Sequence, residues 1–286
     1  MSTSYGHAGT TQGPLSRSLK PSYVDDMAQR LSSRLHRWFG NPAKEFIGSA
    51  SEVSTFADKQ AGLLAEIFFS GRCRRLHKWP HYLPIYERYF ADWRDKSPRF
   101  LEIGVFGGGS LDMWREYFGP STTIYGIDIN SECARLARPP TQIRIGSQDD
   151  AEFLRRVVDE MGGIDIVLDD GSHVGKHQRK SFEILFPLLS EGGIYMIEDT
   201  HTSYWRRFGG GYRRRGTAIE WSKQIVDDMH AWYHGGRTRT SARDDVAGVH
   251  VHDSIIVIEK GARARPMHVI IEPRKVVLKP AESERP

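Results

Sequence analysis

The chain has 286 residues, of which 39% are hydrophobic, with a net charge of +4 and a pI near 9.0. That length supports a large core, and no apolar run approaches the ~20 residues a membrane helix needs, so no membrane insertion is expected. Two cysteines, Cys73 and Cys133, exclude a disulfide framework and a cysteine zinc site. The short basic runs at 72–75, 206–207 and 213–215 are unlike the single long stripe of a nucleic-acid binder, so no nucleic-acid partner is expected.

Residues 1–22 are rich in Ser, Thr, Gly and Pro without periodicity and read as a disordered arm. They carry no signal pattern of charge followed by an apolar stretch, so a cytoplasmic protein is expected. Between 23 and 39, Met27, Leu31, Leu35 and Trp38 recur at helical spacing. Further helical patterns at 60–69 and 79–90 make 23–97 an N-terminal helical region, whose surface is suited to a homo-oligomer contact. In His77-Lys78-Trp79-Pro80-His81-Tyr82 the aromatics read as packing, while Lys78, His81 or Tyr82 lie close enough to the first strand to help cover a ligand.

From 98 to 280 the pattern changes. β-rich runs at 99–105, 123–129, 142–145, 164–168 and 194–197 alternate with helical patterns at 110–118, 131–137, 150–161 and 176–189. Such alternation predicts an α/β fold: a doubly wound, mostly parallel seven-stranded sheet with an N-terminal helical extension. A helix at 217–233 follows, then late strands at 249–258 and 269–278 that are expected to close the sheet. Residues 281–286 read as a polar tail. The segment 202–216, with three consecutive glycines, is expected to be a mobile lid.

Two strand ends carry acids. The run ending at Leu168 opens onto Asp169-Asp170-Gly171-Ser172-His173, and the run ending at Ile197 opens onto Glu198-Asp199-Thr200-His201. In a parallel sheet these ends meet at one rim, where carboxylates and a histidine suit a hard divalent cation such as Mg²⁺ better than zinc. The competing reading is that these acids are helix N-caps. Glycines after the first strand (Gly104, then Gly107, Gly108 and Gly109, followed by Ser110) allow close approach of a ligand, and Asp128 ends the second strand, where an acid receives ribose hydroxyls. The dehydrogenase glycine pattern is absent, because position 106 is Phe.

This pattern of an acid, spaced glycines and a second-strand acid resembles the class I S-adenosylmethionine-dependent methyltransferases. Within them, the segments 169–173, 197–199 and 203–205 resemble the macrolide-sugar O-methyltransferases of mycinamicin and macrocin type and the cephalosporin-biosynthesis family. Phe106 departs from the class pattern at the middle glycine. The resemblance implies Glu102 under the methionine ammonium, Gly104, Gly108 and Ser110 along the cofactor, Asp128 on the ribose and Gln148 or Asp149 at the adenine. For Asp149 an N-cap of the next helix is an equal alternative. The metal ligands fall on Asp170, Glu198 and Asp199, and the catalytic base on His173, with His177 and His201 as rivals. The implied activity is Mg²⁺-dependent O-methylation, by S-adenosylmethionine, of a small-molecule or glycan acceptor with adjacent sugar hydroxyls. The alternatives are a catechol-type methyltransferase, a hydroxylase, which needs more histidines than the cluster offers, and a binding protein retaining the fold.

Overall fold

The computed structural model describes residues 48–59, 62–238, 240, 244–272 and 275–277. The arm at 1–22, the helix expected at 23–39 and the tail at 281–286 lie outside them. The chain divides into two units, Met1–Gln60 and Ala61–Pro286. In the first, α1 (Ala50–Lys59) is described; Ser49 precedes it, and its backbone N and hydroxyl both donate to Glu52.

The second unit opens with α2 (Leu63–Phe69) and α3 (Leu83–Phe90), the latter preceded by a 3-10 turn at Pro80–Tyr82. Strands and helices then alternate: β1 (Arg99–Ile103), α4 (Gly109–Phe118), β2 (Thr123–Asp128), β3 (Gln142–Ile145), α5 (Ala151–Met161), β4 (Ile164–Asp169), α6 (Gly175–Leu185) and β5 (Leu189–Ile197). The pattern at 131–137 is a 3-10 turn, Ser131–Leu136. After β5 come α7 (Ala218–Met229), α8 (Ala231–His234), β6 (Val246–His252) and β7 (Ile255–Lys260). The sheet order is β3-β2-β1-β4-β5-β7-β6; the first five strands are parallel and the last two antiparallel.

Alternation along each strand builds two cores. Phe100, Ile166, Leu168, Ile194 and Met196 point to one face, where they meet Leu64, Phe90 and Trp114 of α2, α3 and α4. Leu101, Ile103, Val167, Tyr195 and Ile197 point to the other and meet Leu154, Phe182 and Trp221 of α5, α6 and α7. Each large side chain so enclosed contributes roughly 1.5–3 kcal/mol.

The late strands differ from expectation. The run at 249–258 is two strands, because Asp253-Ser254 turns the chain back with Ser254 at φ +65°, and His252 pairs with Ile255. Within the run at 269–278 the described strands stand apart from the sheet: β8 (Ile270–Glu272) and β9 (Lys275–Val277) pair with each other, antiparallel, as a separate two-stranded sheet among the described residues. The seventh strand comes instead from the turn at Asp253.

Candidate active site

Strand order reverses between β1 and β4, and the residues at issue sit at the carboxyl rim beside that reversal, where open α/β sheets bind ligands. Gly104 leaves β1 at φ +97°, and a side chain there would collide with the Asp170 carbonyl. Asp128 ends β2 with Oδ2 accepting the Val105 N–H at 2.9 Å and Oδ1 accepting that of Asn130 at 2.8 Å, which fixes the carboxylate against the glycine turn. Around it, Phe106 and Ile129 are 51% and 76% exposed, apolar surface beside an acid at the rim.

The other expected cofactor residues have neighbours within the chain. Gly108 adjoins the Arg74 guanidinium, and Gly109 the Arg74 carbonyl; the small residues here admit the chain's own 74–75 segment. Arg74 in turn grips Asp112 through Nε and Nη2, both at 2.7 Å. Glu102 is fully buried, accepting Ser110 Oγ at 2.7 Å and lying 3.5 Å from Lys78 Nζ, so it braces Lys78 and offers no oxygen at the surface. Gln148 is also committed: its amide donates to Asp169 at 3.1 Å and its oxygen accepts the Ser172 N–H at 2.7 Å. Asp149 is exposed and is not the helix cap; Asp150 caps α5 by accepting from the Glu152 and Phe153 N–H groups.

The acids separate into three settings. Asp169 is enclosed by Ser181 Oγ at 2.6 Å, Tyr195 OH at 3.1 Å and Gln148, a polar knot under the rim, with burial raising its carboxyl above the ordinary range. Lys78 Nζ lies among a second set, 2.5 Å from Asp170 Oδ2 and 2.9 Å from Glu198 Oε2. Glu198 also accepts Tyr86 OH at 2.7 Å. Burial opposes the Lys78 charge, yet Asp170, Glu198 and Glu102 together raise it well above an ordinary lysine. Burial and then Asp170 push Glu198 well above the carboxylate range, against the opposing pull of Lys78 and the Tyr86 hydroxyl.

The third setting is Asp199. It accepts Tyr82 OH at 2.7 Å through Oδ1, while its Oδ2 lies 3.7 Å from His173 Nε2. Burial works against its charge, but His173, His201 and Tyr82 outweigh burial and hold it below the ordinary range. Asp199 and His173 both adopt left-handed backbone, at φ +53° and +55°, a region uncommon for non-glycine residues that Asp and His enter more readily than most. One ligand atom each from Asp170, His173 and Asp199 lies within 4.8 Å of the others. The hard oxygens of Asp170 and Asp199 fit a divalent cation, and the His173 imidazole stands beside them. Glu198 stands outside that group; both its oxygens accept from Lys78, which also donates to Asp170.

Of the rival histidines, His177 turns away: its Nδ1 is 2.9 Å from Ser172 Oγ and its Nε2 is 3.8 Å from Asp149. His173 precedes α6, so the two do not share a helix face. His173 Nδ1 is buried with no hydrogen-bond partner among the described residues. His201 pairs with Ser254 Oγ at 3.1 Å. The segment 202–216 is folded, with 3-10 turns at Thr200–Tyr204 and Arg206–Phe208, and it reaches His173, whose carbonyl accepts Thr202 Oγ1 at 3.2 Å.

Sequence reasoning named Lys78 and Tyr82 only as groups near a ligand and passed over Tyr86. The available signal was Tyr82 and Tyr86 one helical turn apart, each with a polar tip that needs a buried partner, beside a lysine among aromatics.

The profile of the methyltransferase-domain family matches residues 101–200. The chain is 39% identical over 211 residues to the 8-demethyl-8-(2-methoxy-alpha-L-rhamnosyl)-tetracenomycin-C 3'-O-methyltransferase of Streptomyces olivaceus, covering 69% of this chain and 54% of that one. It is also 39% identical over 213 residues to the mycinamicin VI 2''-O-methyltransferase of Micromonospora griseorubida, covering 69% and 52%. The chain thus spans about half the length of these relatives. A mycinamicin-pathway methyltransferase structure with Mg, SAH and mycinamicin VI superimposes with a TM-score of 0.60 at 29% identity, over 91% of this chain and 67% of that one. Strand order and sequence agree: residues 101–200 match a methyltransferase-domain family, the fold is Rossmann-like, and the chain resembles the S-adenosylmethionine-dependent macrolide-sugar O-methyltransferases of the mycinamicin and macrocin type.

Proposed function

We propose that this chain transfers a methyl group from S-adenosylmethionine to a hydroxyl of a sugar with adjacent hydroxyls, carried on a glycosylated small molecule, with Mg²⁺ bound. The observation that carries this reading is the convergence of Asp170, His173 and Asp199 on one point of the rim that also bears Gly104 and Asp128. The names of the relatives, which act on rhamnosylated and macrolide compounds, support the acceptor class.

In the reaction the methyl carbon loses its bond to sulfur and gains one to the acceptor oxygen, whose proton must leave. Bound S-adenosylmethionine supplies the activated methyl, and bound Mg²⁺ supplies charge that lowers the pKa of the acceptor hydroxyl. Asp128 would hold the ribose, with the exposed Phe106 and Ile129 offering apolar surface beside it. Asp170 and Asp199 would hold the metal, with Glu198 next to them beside Lys78. His173 Nε2 takes the proton, and Asp199, 3.7 Å away, stabilises the imidazolium that results. Alignment of oxygen, methyl and sulfur by these groups is the larger part of the catalysis.

The same reading includes a cytoplasmic homo-oligomer without a nucleic-acid partner. No described helix is long and apolar enough to cross a membrane. The experiment is a calorimetric titration with SAH, with and without Mg²⁺, followed by methyl transfer to rhamnosylated acceptors before and after EDTA. SAH binding, and transfer that EDTA abolishes and added Mg²⁺ restores, are expected. A folded protein that binds no SAH ends this reading.

A further inference from the structure

From the reaction centre, a line of aromatic rings leads away over the rim. His173 meets Phe208 with ring centroids 5.9 Å apart, and Phe208 meets Trp205 at 6.2 Å. Trp205 then meets His201 at 4.6 Å, and His201 meets Trp79 at 5.2 Å. These rings come from separate pieces of chain: the turn before α6, the two 3-10 turns after β5, and the approach to α3. Neither Trp205 nor Phe208 belongs to the two apolar cores, and Trp79 is only partly covered where it packs on one of them. Packing of the sheet therefore does not account for two large, half-buried rings at this place.

We propose that Trp79, His201 and Trp205 form the surface on which the sugar ring of the acceptor lies, with Phe208 continuing it to His173 and Asp199. The inference rests on the sugar-methylation reading and assigns the residues that would grip that sugar. A pyranose has an apolar C–H face and hydroxyls at its edge. An indole face covers the first, and a few placed polar groups take the second, the usual composition of a small-molecule site. Here the polar groups stand at one end of the arc, Asp199 and His173 being 3.7 Å apart. The ring resting beside them must carry the reacting hydroxyl, so it is the sugar and not the remainder of the acceptor. His201 is held by Ser254 through Nδ1, which fixes the tilt of the central ring.

The test uses the whole protein with saturating S-adenosylmethionine and Mg²⁺, and two acceptors: methyl α-L-rhamnopyranoside and a rhamnosylated polyketide. Trp205→Ala should raise KM for both by about tenfold, the effect of losing one aromatic contact. Turnover at saturation should stay within about threefold and SAH affinity should be unchanged, the pattern of lost ground-state binding. Trp205→Phe and Trp79→Phe, which keep a ring and the fold, should recover most of the KM. Methyl rhamnoside should alter tryptophan fluorescence of the wild type with SAH and Mg²⁺ bound, and less of that change should remain in Trp205→Phe. Unchanged KM in Trp205→Ala overturns the platform. So does a loss confined to the polyketide acceptor, which would place the rings against the aglycone, or a joint fall in turnover and SAH affinity, which would make their role structural. Wild-type protein that binds SAH yet methylates neither acceptor removes the sugar reading itself, and the platform with it.

Discussion

Asp199 and His173 show how much of this site is decided by single residues in unfavourable backbone. Because Asn tolerates the left-handed region nearly as well as any non-glycine residue, Asp199→Asn keeps the turn and removes only the charge. Mg²⁺ affinity measured by calorimetry should fall, and activity should partly return at high Mg²⁺. His173→Ala should instead lose ~10²–10⁴-fold in turnover while retaining the metal, and added Mg²⁺ should not restore it. Near-normal turnover of His173→Ala at saturation would move the base to His201 or to a metal-bound hydroxide. Lys78 is the other decisive residue. Removing it leaves buried Glu198 and Glu102 without their cation, so Lys78→Met should lose about 3–5 kcal/mol in urea denaturation. Adding Glu198→Gln should recover part of that loss. If the double variant is no more stable than the single one, Lys78 does not act as the counter-ion of Glu198.

Among the elements, the start of β1 is tied across the sheet by one acid. Asp165 in β4 accepts from Arg99 N, Nε and Nη2 at 2.6–2.9 Å and from Ser190 Oγ of β5 at 2.6 Å. Burial raises its carboxyl, but the Arg99 bonds outweigh burial and hold it below the ordinary value. A depressed acid stabilises the fold fully above its unfolded pKa of about 3.9 and loses that contribution as pH falls through the folded value. Arg99→Met should therefore lower stability by about 2 kcal/mol at pH 7. The gap from wild type should narrow at pH 3 and below; urea midpoints at the two pH values test this, and an equal gap at both would contradict it. The elements themselves were legible in sequence because the strands alternate between two cores and the helices follow at regular spacing. The split at Asp253-Ser254 was less so, since the apolar residues on either side read as one run. The strands Ile270–Glu272 and Lys275–Val277 pair locally with each other, and strand propensity alone does not say which partner a strand will find.

For the whole molecule, the rim and its acids were legible because each is adjacent in sequence to the strand that carries it. Asp128, Asp170 and Asp199 follow directly from that adjacency. What could not be read was the partner of each polar side chain: Glu102 and Gln148 turn inward, and Lys78 reaches Asp170 across 92 residues and Glu198 across 120. The same separation governs how the protein is made. At a synthesis rate of ~5–20 residues per second, Lys78 leaves the ribosome on the order of ten seconds before Glu198. Until then the ammonium stays hydrated and needs no partner; it is dehydrated only when β4 and β5 have closed beside β1. Contacts so distant in sequence form late, so the Lys78→Met loss should appear almost wholly as faster unfolding, with a φ-value near 0 in stopped-flow kinetics. A slowed refolding arm would mean instead that the ammonium is already in place at the folding barrier.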